Sequence, residues 1–212
     1  LHNPRDPWVF DLEKASRPIE FIERFCKHSK GKWIGKPVRL ELFQKAKIQA
    51  VYGFVHKETG LRRCREVFTL VARKNGKSTE KAATGAYMLV GDGEGGAEVY
   101  SVATKKDQAR IVFSEAVNMV AQSPALSKHV KKRKSDLYFP VTFSKFEPLA
   151  SDSNSLDGLN VHYAVMDELH AIKDRNLYDV IKQAMTAREQ PLLDMITTAG
   201  FVRECIYDSI YE

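Results

Sequence analysis

Apolar residues recur at three- and four-residue spacing in two stretches near the start of the chain. Ile19, Ile22, Phe25 and Cys26 predict a helix over 18–30, and Leu42, Phe43, Ile48, Val51 and Tyr52 predict a second, from Arg39 and Leu40 through about His56. The pattern then changes. Residues 65–72 are rich in β-branched and aromatic side chains and predict a strand, whereas 77–90, with Ala82, Ala83, Ala86 and Leu89 on one side, predict a helix. After the glycine-rich connection 91–96 come a strand over 97–103 and a helix over 104–122, with Thr104 as its expected cap and Asp107 three residues on. Val141, Phe143 and Phe146, set between polar residues over 138–149, predict a hairpin, followed by a polar loop at 151–155 and Gly158.

Residues 161–166 form a short, largely apolar run, as expected of a strand buried on both faces of a parallel sheet. A helix over 174–186, a strand over 193–198 and a last helix over 203–212 complete the series. Strands alternating with helices imply an α/β chain with a mainly parallel sheet, right-handed crossovers and helices on both faces. The last predicted helix runs to the final residue, which suggests a domain cut from a longer protein.

Two places in this pattern carry chemistry. Between the strand over 65–72 and the helix that follows lies Arg73-Lys74-Asn75-Gly76-Lys77-Ser78-Thr79. A loop of this kind, with its amides and the positive end of a helix, surrounds a phosphate; Lys77 would reach the β- and γ-phosphates and the Ser78 hydroxyl a Mg²⁺ ion. The general motif places a glycine five positions before Gly76, and Val71 stands there instead. The second place is the end of the apolar run, where Asp167 and Glu168 stand together. Carboxylates at that end of a strand face the crevice in which α/β sheets bind ligands. Asp167 would serve the metal, and Glu168 would orient and deprotonate an attacking water. Loop and acids together imply ATP hydrolysis with Mg²⁺.

Composition adds a partner and removes several classes. Lys and Arg number 33 against 27 Asp and Glu, and the formal charge of +6 favours an acidic partner such as nucleic acid. The densest basic cluster, 128–134, reads equally as a solvated helix end and as a phosphate-contacting patch. Cys26, Cys64 and Cys205 are odd in number and far apart, and the histidines lack zinc-site spacing, so neither a disulfide framework nor a protein-ligated transition metal is expected. No apolar run is long enough to predict a membrane span.

With these pieces placed, the chain resembles the ATPase domain of a tailed-bacteriophage large terminase. The resemblance rests on Leu42-Phe43-Gln44, the loop over 72–78, the stretch 103–110, the segment 155–160, the acids within Met166-Asp167-Glu168-Leu169-His170, and Thr197-Thr198-Ala199-Gly200. It implies a P-loop NTPase of the ASCE/RecA-like class, a three-layer α/β/α fold, and hydrolysis that drives double-stranded DNA into a procapsid. The missing first glycine is common in that family. The resemblance also implies that Gln44 reads the adenine edge with Phe43 nearby, and that Thr197, Thr198 and Gly200 couple loss of the γ-phosphate to DNA movement. A portal protein, a small terminase subunit, a homo-oligomeric ring and the host cytoplasm follow as partners and place. A 1–60 helical region, a 61–212 P-loop core and a nuclease beyond 212 are the expected organisation.

Phosphoryl transfer commonly needs an arginine. Arg73 would act in cis, Arg110 on a neighbouring subunit's nucleotide, and Arg188 is a third candidate. Some relatives place an arginine shortly before the acidic strand, where this chain has Asp157. Two other readings remain at this point: a helicase-like translocase, whose acidic box Asp167-Glu168-Leu169-His170 also resembles, and a basic DNA-binding or assembly module without turnover.

Overall fold

The computed structural model describes residues 6–150, 158–169 and 175–198. In chain order the elements are β1 (Trp8–Phe10), α1 (Leu12–Phe25), α2 (Leu42–Gly53), β2 (Phe54–His56), β3 (Glu66–Leu70), α3 (Lys77–Val90), β4 (Glu98–Ala103), α4 (Lys106–Gln122), α5 (Pro124–Ser127), β5 (Lys131–Lys132), β6 (Leu137–Phe139), β7 (Ser144–Ala150), β8 (Val161–Asp167), α6 (Asn176–Ala184) and β9 (Leu192–Thr197). A single 3-10 turn, Gly31–Trp33, lies between α1 and α2.

The main sheet runs β3-β9-β8-β4-β7-β6-β5. Its first five strands are mutually parallel, and β6 and β5 are antiparallel additions at one edge. β8 and β9 are buried at every position because helices cover both faces. Alternation along the strands sorts the two sides of the core. Val99, Tyr163, Val165, Leu192 and Ile196 pack with side chains of α1 to α4, whereas Tyr100, Val102, Ala164, Met166, Leu193 and Met195 pack with α6. The three-layer α/β/α arrangement is therefore present, heavier on one face among the described residues.

Four elements differ from the expectations. α1 begins at Leu12, where Asp11 accepts a hydrogen bond from the Lys14 amide, and buried Pro18 lies inside the helix rather than at its start. The Asp11 cap outweighs the interior proline, whose ring is placed on the packing face. α2 ends at Gly53, and the next three residues pair with β1 in a small antiparallel ribbon too short to show alternation in the sequence. α4 begins at Lys106, and Lys105, in extended conformation, occupies the cap position expected for Thr104. The hairpin is β6-β7, but β7 also pairs in parallel with β4, and Val141 and Phe143 lie exposed at its turn.

The basic cluster follows α5 and includes the edge strand β5, where exposed Lys131 and Lys132 guard an open sheet edge against pairing with other chains. Gly200, Cys205, the polar loop at 151–155, the start of the 155–160 segment and the helix expected over 203–212 lie outside the described residues.

Candidate functional site

β3 stops at Leu70, and the chain turns twice through left-handed backbone, at Lys74 (φ 66°) and at Gly76 (φ 71°), before α3 begins at Lys77. Only glycine takes that conformation without a Cβ penalty, so Gly76 suits its place and Lys74 carries strain of about 1–2 kcal/mol. The Asn75 side-chain amide donates to the Ala72 carbonyl at 3.2 Å and closes the loop on itself. Left-handed turns of this kind aim backbone N–H groups to one side, and α3 adds its positive end there.

The acids arrive from the next strand but one. Lys77 Nζ lies 3.2 Å from Asp167 Oδ1, and that same oxygen accepts the backbone N–H of Glu168 at 2.9 Å. Asp167 is 8% exposed, enough to reach a ligand in the crevice. Glu168 takes φ 55°, a left-handed turn that swings its carboxylate off the strand axis, where the Gln108 side-chain amide on the first turn of α4 donates to it. Gln108 was not singled out from the sequence; its place in the first turn of a helix after a parallel strand was the available signal.

β9 lies between β3 and β8, so the start of the expected coupling segment falls between loop and acids. Thr197 pairs with Leu70 in the ladder, its carbonyl accepts the Val71 amide at 3.1 Å, and Ile196 stands opposite Asp167. Thr197 and Thr198 are buried.

Gln44 is brought to the same place from α2. Its Oε1 accepts the Glu41 amide at 2.9 Å in a capping box, and its Nε2 would lie 3.7 Å from a Cβ built on Gly76. Between them opens a cleft of about 580 Å³ whose walls include Trp33, Leu40, Phe43, Gln44, Gly76 and Glu80. Asn75 and Thr79 also face it. Lys77 and Ser78 are half-buried at the head of α3, whereas Arg73 and Lys74 are exposed on the loop.

The arginines separate by position. Arg110 is exposed on α4, two residues beyond Gln108, with only a loose 3.8 Å pair to Asp107. Arg188 is occupied elsewhere. It donates to Glu94, to the carbonyls of Gly95 and Gly96 and to that of Asn160, at the end of the sheet remote from the loop. It therefore ties the 91–96 connection to the entrance of β8, away from the loop and acids of its own chain.

One cluster escaped the sequence reading altogether. Lys81 of α3 is 1% exposed and donates to both Asp194 oxygens at 2.8 Å; Glu80 and Lys47 adjoin it, and the Tyr163 hydroxyl donates to Asp194 at 3.0 Å. Burial drags on the Lys81 ammonium, but Asp194 and Glu80 win and hold its pKa at about 12. The available signal was Asp194 itself, a carboxylate in the apolar strand Leu192-Leu193-Asp194-Met195-Ile196.

The profile of the family described as "Terminase large subunit, ATPase domain" matches residues 42–212. The large terminase subunit of Enterobacteria phage HK97 is 33% identical over 192 residues, covering 88% of this chain and 37% of the relative. That of Lactococcus phage p2 is 26% identical over 152 residues, 69% of this chain and 28% of the relative. The crystal structure of the HK97 large terminase superposes with a TM-score of 0.80 at 31% identity, covering 93% of this chain and 40% of that one. The chain thus spans less than half the length of these relatives.

Proposed function

The chain belongs to the family of terminase large-subunit ATPase domains, and we propose that it hydrolyses ATP at the junction of Lys77, Asp167 and Glu168 to move double-stranded DNA into a viral procapsid. The observation that carries the reading is the 3.2 Å approach of Lys77 to Asp167 at the mouth of a left-handed loop, with Glu168 beside it.

The β- and γ-phosphates fit against the loop amides 73–79 and the head of α3, with Lys77 turning from Asp167 to the phosphate oxygens. Arg73 adds charge from the loop. Ser78 and Asp167 are both oxygen donors, the set a hard cation takes, and no group of three or more His, Cys, Asp or Glu among the described residues offers a full protein cage. That combination fits Mg²⁺ shared with phosphates and water. When bound, Mg²⁺ neutralises charge developing on the transferred group. Glu168 accepts a proton from the water as its oxygen attacks the γ-phosphorus and the bond to ADP breaks, while Gln108 fixes the carboxylate. Gln44 and Phe43 hold the adenine. Thr197, Thr198 and Gly200 pass the loss of the γ-phosphate to DNA-gripping parts.

The DNA, a portal protein and a small terminase subunit are the partners of this reading, in a ring in the host cytoplasm; among the described residues no helix is long and apolar enough to cross a membrane. DNA cutting we assign to sequence outside this chain. Glu168→Ala is expected to keep ATP binding and stop phosphate release, and continued turnover would sink the mechanism. Arg110 we place on a neighbouring subunit's nucleotide. Mixing Arg110→Ala with Lys77→Ala subunits should then recover hydrolysis at some interfaces, and no recovery would remove the trans role.

A further inference from the structure

α2 leans mainly on α1, and its charged and polar bonds to α3 lie at two levels. At the far end Tyr52 donates to Met88 Sδ at 3.3 Å and stacks edge-on against Tyr87. At the cleft end Lys47 pairs with Glu80. Glu80 is at once a wall of the cleft and a member of the buried cluster, where Lys81 Nζ approaches it at 3.3 Å and is itself clamped by Asp194. Lys47 follows Gln44 by three residues, less than one helical turn.

The four charged groups, Lys47, Lys81, Glu80 and Asp194, balance to neutrality, which is the condition for keeping them out of water. Lys47 is the member that enters the cluster from α2. Burial and the neighbouring Lys81 pull its pKa below the usual lysine value, with Glu80 and Asp194 opposing. Lys81 and Asp194 join α3 to β9 regardless of Lys47, so the cluster divides into a foundation and one strut that reaches α2.

We infer that Lys47 and Glu80 are positioning residues for the nucleobase: their ion pair sets the spacing between the base-facing end of α2 and the phosphate loop at the head of α3. The inference rests on the nucleotide reading above and adds to it the source of preference for the adenine base over the bare polyphosphate. Loss of the strut lets Gln44 and Phe43 shift relative to Gly76, while the loop, the helix head and the acids keep their mutual geometry.

The test separates base from phosphate. Wild-type protein is first measured for Mg-ATP binding; absence of binding sinks the nucleotide reading itself. Lys47→Met is then expected to raise the KM for ATP roughly tenfold, the scale of a modest misplacement, with kcat within about twofold. Inhibition by inorganic tripolyphosphate should be unchanged, and the preference for ATP over GTP should shrink. Lys47→Met/Glu80→Gln, which leaves the neutral Lys81–Asp194 pair in place, should fold and show the same base-specific loss. Equal weakening of ATP and tripolyphosphate, or an unchanged KM for ATP in both variants, would overturn the assignment.

Discussion

Lys77, the first residue of α3, and Asp167, the last residue of β8, meet at 3.2 Å although β3, the strand that leads into α3, is separated from β8 by β9 in the sheet. In the proposed mechanism this contact holds the ammonium that meets the phosphates beside an oxygen that can also serve a divalent cation. Asp167→Ala should therefore cut hydrolysis by about a hundredfold or more and raise the Mg²⁺ concentration needed for half-maximal rate. Steady-state phosphate release across a Mg²⁺ titration checks it, and an unchanged Mg²⁺ requirement would exclude Asp167 from the metal site.

Gln108 donates to the Glu168 carboxylate from the head of α4. A hydrogen bond to a charged group is worth about 1.5–3 kcal/mol, so Gln108→Ala should lower kcat by roughly tenfold or more while leaving the KM for ATP within about twofold. A fall confined to affinity would place Gln108 outside the hydrolytic step.

Arg188 closes four hydrogen bonds at the opposite end of the sheet. Arg188→Ala is expected to cost about 1–3 kcal/mol in urea unfolding and to leave kcat of the folded protein unchanged, in mixed-subunit assays as well as alone. Loss of turnover at undiminished stability would return Arg188 to the list of catalytic arginines.

Asp92 lies buried against Arg62 at 3.0 Å and His162 at 2.8 Å. Burial raises its pKa, but Arg62 and the hydrogen bond from His162 more than offset it and hold the carboxyl well below the usual range. The folded state therefore binds this proton less readily than the unfolded chain. Its stabilisation is present in full above the unfolded value of about 3.9 and drains away as pH falls further. Asp92→Asn should lose about 3–5 kcal/mol at neutral pH and flatten the acid side of the stability profile. Glu80 and Glu66, also lowered, keep part of that slope. Urea melts from pH 7 to pH 3 decide the matter.

Cys26 is fully buried, and burial pushes its thiol up to about 12. At pH 8 it stays protonated and shielded, so iodoacetamide should modify half-buried Cys64 before Cys26, which it reaches only on unfolding. Mass spectrometry of the labelled peptides reads the order, and early labelling of Cys26 would show that the packing of α1 opens readily.

The strand-loop-helix around Gly76 and the acids after β8 were legible because their signals are local. An apolar run, a glycine that tolerates left-handed backbone and a lysine at a helix head all act between adjacent residues. The cap position at Lys105 rather than Thr104, and the start of α1 at Leu12 behind the Asp11 cap, show the limit of such signals, since one residue's shift of backbone changes which residue stands at the cap. β1 and β2 are three residues each and gave no period to read.

From the chain alone came the alternation of strands and helices, the loop and the carboxylates, since short-range preferences are written in neighbouring residues. Folding settled that β9 slides between β3 and β8, that Thr197 meets Val71, that Gln108 reaches Glu168, and that Lys81 finds Asp194. Those contacts join residues far apart in the chain. A buried charge must find its partner across the core, and which partner it finds depends on the whole sum of packing rather than on any segment.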